Sequence, residues 1–298
     1  MAGPVIECVA NFSEGRDAAT VRAIEDAIAS SAGVLVLRVE RDTDHNRSVI
    51  TFAGSPDAVS EGALRGIAVA VERIDLRRHA GVHPRMGAAD VVPFVPLEGV
   101  TLEDCVAIAR RTGEEVWKRL GVPVYFYEAA ALSPDRRMLE NCRRGGFENP
   151  KIAPDLGGPA LHSSAGACII GARKILIAFN INLQTDDVTV AREIARKIRT
   201  SSGGMPFVKA LGLSLAGRGL AQVSMNLTDF EQTPLHQVFD AVRQEAAERG
   251  VDIAGSEIIG LVPKKALEDA AAHYLQCENF DSGLVLENRL QNVRRALE

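Results

Sequence analysis

The feature that most constrains the fold of this chain is one order of elements that occurs twice. Apolar alternation and helical spacing predict, in the first half, strands at 5–12, 33–40, 46–55 and 88–97 with helices at 17–31 and 55–74. In the second half they predict strands at 174–183, 207–215, 219–227 and 251–263 with helices at 186–200 and 233–250. Each half reads β-α-β-β-α-β. The sequence therefore predicts an α/β (α+β) chain of two ferredoxin-like βαββαβ subdomains, a duplication without convincing residue identity between the halves.

Between the two repeats lies a helix at 101–120, a strand at 122–128 and a loop-rich segment that runs to about residue 170. This segment contains RRGGFENPKIAPDLGGPALHSSAG, which has too many glycines and prolines for regular structure. Long loops inside compact domains are usually functional or disordered. We expect the subdomains to cover 1–170 and 171–298, with one more helix after Pro263.

Composition excludes several classes of protein. A net charge of −5 and only 5% aromatic residues disfavour a nucleic-acid-binding surface. The sequence lacks an 18-residue apolar stretch and a signal peptide, so we expect no membrane span and no secretion. The five cysteines form no CxxC pair, and Cys8 and Cys168 lie in apolar runs typical of core positions. A reducing cytoplasm fits best.

The stretch RHAGVHPRMGAAD, residues 78–90, holds the candidate for acid-base chemistry. Pro84 forces an extended backbone on His83, which could present the imidazole to a cleft as a general base. A surface histidine in a turn is an equally good interpretation. His79 and His83 have the spacing of a helical metal pair, but Gly81 and Pro84 disfavour a helix, so we expect no metal.

Three further loops carry polar residues. In ERDTDHNRSV (40–49), the acidic residues could orient a histidine, and Asn46 and Arg47 could bind a carboxylate. VANFSEGRD (9–17) could offer hydrogen-bond donors at the start of a helix, with Asp17 as its N-cap. DLGGPALHSSAG (155–166) could let a flat ligand lie close to the backbone. Solvated loops remain the alternative for all three.

Five ordered blocks together resemble one known family. They are IECVANFSEG (6–15), DHNRSVITFAG (44–54), HPRMGAADVVPF (83–94), GARKILIAFNINL (171–183) and LAQVSMNL (220–227). Over residues 5 to 275 the chain is similar to the glutamate formimidoyltransferases, the transferase unit that is fused to a cyclodeaminase in animals. We expect no cyclodeaminase domain in this chain.

The resemblance implies transfer of a formimidoyl group from N-formimidoyl-L-glutamate to N5 of tetrahydrofolate, in histidine breakdown and one-carbon metabolism. It implies a homodimer, tetrahydrofolate as co-substrate, and His83 as general base. Glu40 stands where animal forms have an aspartate, and Glu40 or Asp44 could hold the imidazole. The folate-binding stretch falls on Gly157, Gly158, Pro159, Ala160, Leu161, His162, Ser163, Ser164, Ala165 and Gly166.

Both substrates are anionic, so arginines are expected near them. Arg47 and Arg85 are the candidates for the substrate carboxylates, and Arg173 and Lys174 are further cations that could receive them. Three alternatives remain. The first is a transferase using formylglutamate or 5-formyltetrahydrofolate. The second is a non-catalytic module that binds folate or an amino acid, and the third is an RNA-binding ferredoxin-like protein, which the low aromatic content disfavours.

Overall fold

The computed structural model describes residues 3–43, 45–80 and 85–290. The chain divides into two compact units, with the boundary between Lys174 and Ile175. Within the described ranges, no helix combines the length and apolar character needed to cross a membrane.

The first unit contains six strands and four α-helices among the described residues. The strands are β1 Val5–Phe12, β2 Val34–Asp42, β3 Arg47–Gly54, β4 Ala89–Glu98, β5 Val124–Glu128 and β6 Cys168–Ala172. The helices are α1 Ala18–Ala29, α2 Pro56–Arg73, α3 Leu102–Leu120 and α4 Leu139–Cys142.

Local sequence signals explain where these helices begin. The Asp17 side chain accepts a hydrogen bond from the N–H of Ala19, which confirms the predicted N-cap of α1. Pro56 occupies the first turn of α2, as expected, but the Ser55 side chain makes no capping hydrogen bond. Thr101 and Asp104 form a reciprocal capping box at the start of α3.

The strands of the first unit form one sheet in the order β2-β3-β1-β4-β6-β5. The pairs from β2 to β4 are antiparallel, whereas β6 lies parallel to both β4 and β5. Alternate residues of β1, such as Cys8 and Phe12, pack in one core with Ile24 of α1 and Ile67 of α2. We call the opposite side of this sheet the second face. Its residues include Glu7, Asn11, Glu40, Arg47 and Val91, by strand register.

The second unit repeats the order of elements. Its four strands are β7 Ile177–Leu183, β8 Val208–Leu215, β9 Leu220–Leu227 and β10 Ile253–Ile259, and its helices are α5 Val188–Ile198, α6 Leu235–Glu248 and α7 Lys264–Tyr274. The strand order is β10-β7-β9-β8, antiparallel throughout. Its apolar core combines residues such as Phe179, Val223 and Leu227 with Ile194 of α5 and Val238 of α6. The duplicated βαββαβ organisation predicted from the sequence is confirmed.

Two elements differ from the prediction. The loop-rich segment ends in a strand, β6, and the strand predicted at 174–183 begins only at Ile177. The residues of β6, CIIGA, are all buried, so the polar alternation that marks a half-buried strand is missing. Residues 173–176, which include Arg173 and Lys174, separate β6 from β7.

Candidate functional site

His83 and the rest of segment 81–84 lie outside the described residues, as does Asp44. The two flanks of the segment are described and are held from several directions. On the N-terminal side, the carbonyl oxygen of Ala80 accepts a hydrogen bond from Nδ2 of Asn46 at 3.2 Å. The imidazole Nε2 of His79 lies 2.9 Å from the carbonyl oxygen of Asn46. These bonds fix where the His83 segment leaves the rest of the unit.

Asn46 connects three of the motifs noted in the sequence. Its Oδ1 accepts the backbone N–H of Gly15 at 3.0 Å, while its Nδ2 binds Ala80. The residue is buried and has a positive φ of 51°, a conformation that asparagine tolerates better than most residues. Ala80 takes one of the two N–H donors of this amide, and the hypothesis that the other binds a substrate carboxylate stays a prediction.

On the C-terminal side of the segment, Asp90 holds the chain. Its Oδ1 accepts the backbone N–H of Met86 at 2.7 Å and that of Gly87 at 3.3 Å. Its Oδ2 accepts a hydrogen bond from Nη2 of Arg143 at 2.5 Å. Only 4% of the Asp90 side chain and 16% of the Arg143 side chain are exposed, so this is a nearly buried ion pair. Hydroxyl Oγ of Ser13 adds a bond to the carbonyl oxygen of Gly87 at 2.8 Å.

The structure places the end of the predicted folate stretch directly against these same residues. The N–H of Ala88 donates to the carbonyl oxygen of Ala165 at 2.9 Å, and the N–H of Ala167 donates to that of Met86 at 3.0 Å. The N–H of Leu76 donates to Ser164 at 2.8 Å. Two segments about 80 residues apart in sequence, each predicted to serve the same site, are therefore joined by backbone hydrogen bonds.

The stretch itself is a narrow loop. His162 and Gly166 exchange backbone hydrogen bonds of 2.9 Å in both directions. Nδ1 of His162 accepts the N–H of Ala165 at 3.0 Å, so this nitrogen carries no proton in the observed arrangement. Gly157 has a positive φ of 77°, and a Cβ there would lie 2.5 Å from the Trp117 ring. Three residues at its tip are exposed: Gly158, Pro159 and Ala160.

Glu40 lies on β2 with its side chain on the second face, opposite Val49 in the register. Its Oε1 pairs with Nη2 of Arg38 at 2.9 Å, and 27% of its side chain is exposed.

The two arginines expected at substrate carboxylates are in different environments. Arg85 directs Nη2 to Glu148 at 2.7 Å and to the carbonyl oxygen of His79 at 3.2 Å. Arg47 is half-buried at the start of β3, and no residue in the described ranges hydrogen-bonds to its guanidinium. Burial lowers the pKa of Arg47; the negative charge of Asp42 opposes this shift, and the positive charge of Arg143 adds to it.

A second charged group lies farther along the same face. Glu7 is 9% exposed, and burial raises the pKa of its carboxyl although the charge of Arg173 opposes that shift. Burial also raises the pKa of Tyr127, to about 12.

The buried thiols of Cys8 and Cys168 have pKa values raised by burial, which confirms them as core residues rather than nucleophiles.

Two models of known protein families match this chain. Residues 5–173 match the formiminotransferase domain, N-terminal subdomain, and residues 178–297 match the formiminotransferase domain.

The chain belongs to the formiminotransferase family.

Relatives within the formiminotransferase family are similar over nearly the whole chain. The glutamate formimidoyltransferase of Thermoplasma acidophilum is 47% identical, covering 97% of this chain and 98% of that protein. That of Streptococcus pyogenes is 43% identical, covering 96% and 98%. The formimidoyltransferase-cyclodeaminase of Sus scrofa is 44% identical over 93% of this chain, which spans 53% of that longer protein.

The sequence patterns did not indicate the residues that hold the candidate site together. Asp90 and Arg143 are 53 positions apart, and Arg85 and Glu148 are 63 apart. Arg143 lies in the loop-rich stretch, where no periodic pattern marks individual residues. The one available signal was a single acidic residue, Asp90, at the start of an otherwise apolar strand.

Proposed function

We propose that this chain is a glutamate formimidoyltransferase, which moves the formimidoyl group of N-formimidoyl-L-glutamate to N5 of tetrahydrofolate and releases glutamate. The observation that carries the proposal is the backbone pairing of Met86–Ala88 with 164–167. This pairing brings the flank of the His83 segment beside the stretch expected to bind folate. Two glutamate formimidoyltransferases similar over nearly the full chain support the same reaction.

The chemistry requires one proton to change place. N5 of tetrahydrofolate attacks the amidine carbon and forms a tetrahedral adduct, and the attacking nitrogen becomes more acidic as the bond forms. We assign His83 as the base that takes this proton, because imidazole titrates near neutral pH. His83 then returns the proton to the leaving nitrogen of glutamate as the carbon–nitrogen bond breaks. A cationic amidine is already electrophilic, so the step requires no metal.

The remaining site residues have positioning and binding roles in this proposal. Glu40 stabilises the charged imidazole, and residues 157–166 hold the folate close to the backbone. Arg47 and Arg85 receive substrate carboxylates, with Arg47 the better placed because its guanidinium lacks a hydrogen-bond partner among the described residues.

The experiment is incubation of the purified protein with tetrahydrofolate and N-formimidoyl-L-glutamate, following the new pterin by its absorbance. Parallel reactions contain formylglutamate, or 5-formyltetrahydrofolate with glutamate. We expect transfer from the formimidoyl donor at a rate well above that of the formyl compounds. Binding of either substrate without transfer would instead identify a non-catalytic module.

The role of His83 has its own test. We expect His83→Ala to leave the fold intact and to lower turnover by about two orders of magnitude, the usual contribution of a general base. Circular dichroism checks the fold, and the pH profile of kcat/KM should lose the limb that reports the imidazole. A folded His83→Ala protein with near-normal turnover would show that His83 is not the general base.

We also propose that the enzyme acts as a homodimer in a reducing compartment such as the cytoplasm. The resemblance to the family supports the dimer, and five free cysteines, four of them buried, fit the compartment. Light scattering coupled to gel filtration measures the mass directly. A monomer mass of 31.9 kDa at assay concentration would contradict the dimer.

A further inference from the structure

Charged side chains from β2, β3, β4 and the loop after α4 lie at one end of the second face of the first unit's sheet. In the strand register, Asn11 of β1 lies between Val49 of β3 and Val91 of β4. Arg47 begins β3 beside this row, and Asp90 precedes Val91 on the other side. Arg143 reaches Asp90 from the loop that follows α4. The same end of the sheet adjoins the flanks of the His83 segment through Asp90 and Asn46.

The three described carboxylates at this end each have a partner within the unit. Glu40 pairs with Arg38 at 2.9 Å, and Asp42 lies 2.6 Å from Nδ1 of His45. Asp90 is used by two backbone N–H groups and by Arg143. The Glu40 and Asp42 side chains nevertheless remain 27% and 38% exposed, so each keeps acceptor capacity for a further cation, whereas Asp90 is nearly buried.

The two arginines at this end have guanidinium donors without hydrogen-bond partners among the described residues. The guanidinium of Arg47 is half-buried and, in the described part of the chain, has no hydrogen-bond partner. Nε of Arg143 is buried and likewise lacks a partner among the described residues, so Asp90 does not use all of that guanidinium. Removing a charged guanidinium from water without giving it a partner is unfavourable, and a carboxylate matches its planar donors.

We propose that Arg47 and Arg143 together form the subsite that receives a carboxylate of the formimidoyl donor. The proposal rests on the function proposed above and makes it specific. N-formimidoyl-L-glutamate carries two carboxylates and a cationic amidine, and this end of the sheet presents arginines beside Glu40 and Asp42. A carboxylate bound between the two arginines places the amidine on the side of the acidic residues, next to the flanks of the His83 segment.

The test separates binding of the donor from binding of folate. The variants are Arg47→Gln, Arg143→Gln and Arg143→Lys, which keeps the charge but loses the planar guanidinium. The control is Arg41→Gln, an exposed arginine on the same strand as Glu40 whose side chain points to the opposite face. Calorimetry measures binding of glutarate and L-glutamate, and steady-state kinetics give KM for each substrate.

We expect each glutamine variant to raise the glutarate Kd and the KM for formimidoylglutamate at least tenfold, with the KM for tetrahydrofolate changed less than twofold. Arg143→Lys should lie between wild type and Arg143→Gln, and Arg41→Gln should match wild type. Thermal melts show whether each variant folds, and Arg47→Gln provides the test if the loss of the Asp90 partner unfolds the Arg143 variants.

Two outcomes separate this subsite from the proposed function. Folded variants that bind glutarate as wild type does, in a protein that transfers the formimidoyl group, overturn the subsite and leave the function standing. A larger increase in the KM for tetrahydrofolate than for the donor assigns the arginines to folate and also overturns the subsite. Absence of transfer by the wild-type protein contradicts the proposed function. The comparison of glutarate binding between wild type and the arginine variants still tests the subsite in that case.

Discussion

At the scale of single residues, Asn46 shows how much of the site depends on one amide. It accepts the N–H of Gly15, donates to Ala80, and offers its own carbonyl oxygen to His79. The side chain of Asn46 thereby ties the NFSEG motif to Ala80, just before the HPRMG motif, and its backbone carbonyl adds the contact with His79. Through these bonds the residue holds Ala80, the described residue that precedes the His83 segment, without having to touch a substrate.

Replacing Asn46 should affect stability and turnover together. We expect Asn46→Ala to lower the free energy of unfolding by about 2–4 kcal/mol, because the buried N–H of Gly15 and the carbonyl oxygen of Ala80 lose their partner and alanine tolerates a positive φ less well. Asn46→Asp keeps the acceptor for Gly15 but places an oxygen against the Ala80 carbonyl. The stability of Asn46→Asp should lie between those of wild type and Asn46→Ala, and its kcat should fall by a larger factor than its KM rises. Chemical denaturation and steady-state kinetics measure both, and unchanged kcat in a folded Asn46→Asp protein would contradict the positioning role.

Glu7 gives a prediction about pH. Burial raises the pKa of its carboxyl above the ordinary value of 4.5, so the folded state favours the protonated form. The stability linked to this group is therefore greatest below that ordinary value and is lost as the pH rises through the higher folded pKa. Glu7→Gln imitates the protonated form, and we expect it to be more stable than wild type near neutral pH.

Thermal melts across the acid and neutral range check this sign. The advantage of Glu7→Gln should shrink toward about pH 4, where the wild-type carboxyl is also protonated. Glu72→Gln, at an exposed position on α2, is the matched control and should show no such trend. A Glu7→Gln protein that is less stable at neutral pH would mean that the ionised carboxylate is held by Arg173.

At the scale of elements, the junction between the two site segments depends on a close approach of backbones. Gly87 and Gly166 form a β-bridge, and a Cβ on Gly87 would lie 2.1 Å from the carbonyl oxygen of Ala167. No side chain fits there without separating the two segments. The glycine of the HPRMG motif is therefore required by packing, whatever the chemistry of the neighbouring histidine.

We expect Gly87→Ala to lower the free energy of unfolding by more than about 2 kcal/mol and to weaken tetrahydrofolate binding. Gly217→Ala, at a turn where a Cβ would meet nothing within 4 Å, should change neither quantity measurably. Denaturant titration and fluorescence titration with folate measure the two effects. Similar behaviour of the two variants would show that the junction relaxes easily and does not hold the site.

At the scale of the whole molecule, each unit has its own apolar core. Residues of β7 to α7 pack in one cluster, and residues of β1 to β6 pack in separate ones. Truncation inside one core should therefore weaken that unit first, because the cavity removes contacts within it.

Leu227→Ala, at a fully buried position of β9, should destabilise by about 2–5 kcal/mol and lower hydrogen-exchange protection mainly after residue 174. Ile67→Ala, equally buried in α2, should lower protection mainly before that point. Equal loss in both units from either variant would show that they unfold as one.

The sequence by itself determined the duplicated order of strands and helices, because alternation, helical spacing and caps such as Asp17 are local properties of the chain. Through the five blocks of family resemblance it also predicted where the candidate site lies. It did not reveal β6, whose fully buried residues lack a period, nor the pairing of Met86–Ala88 with 164–167. The partners Asp90 and Arg143, like Arg85 and Glu148, were also decided only by the tertiary structure. Contacts over 50 or more positions depend on how the sheet and its loops pack, and no local pattern in the chain encodes that packing.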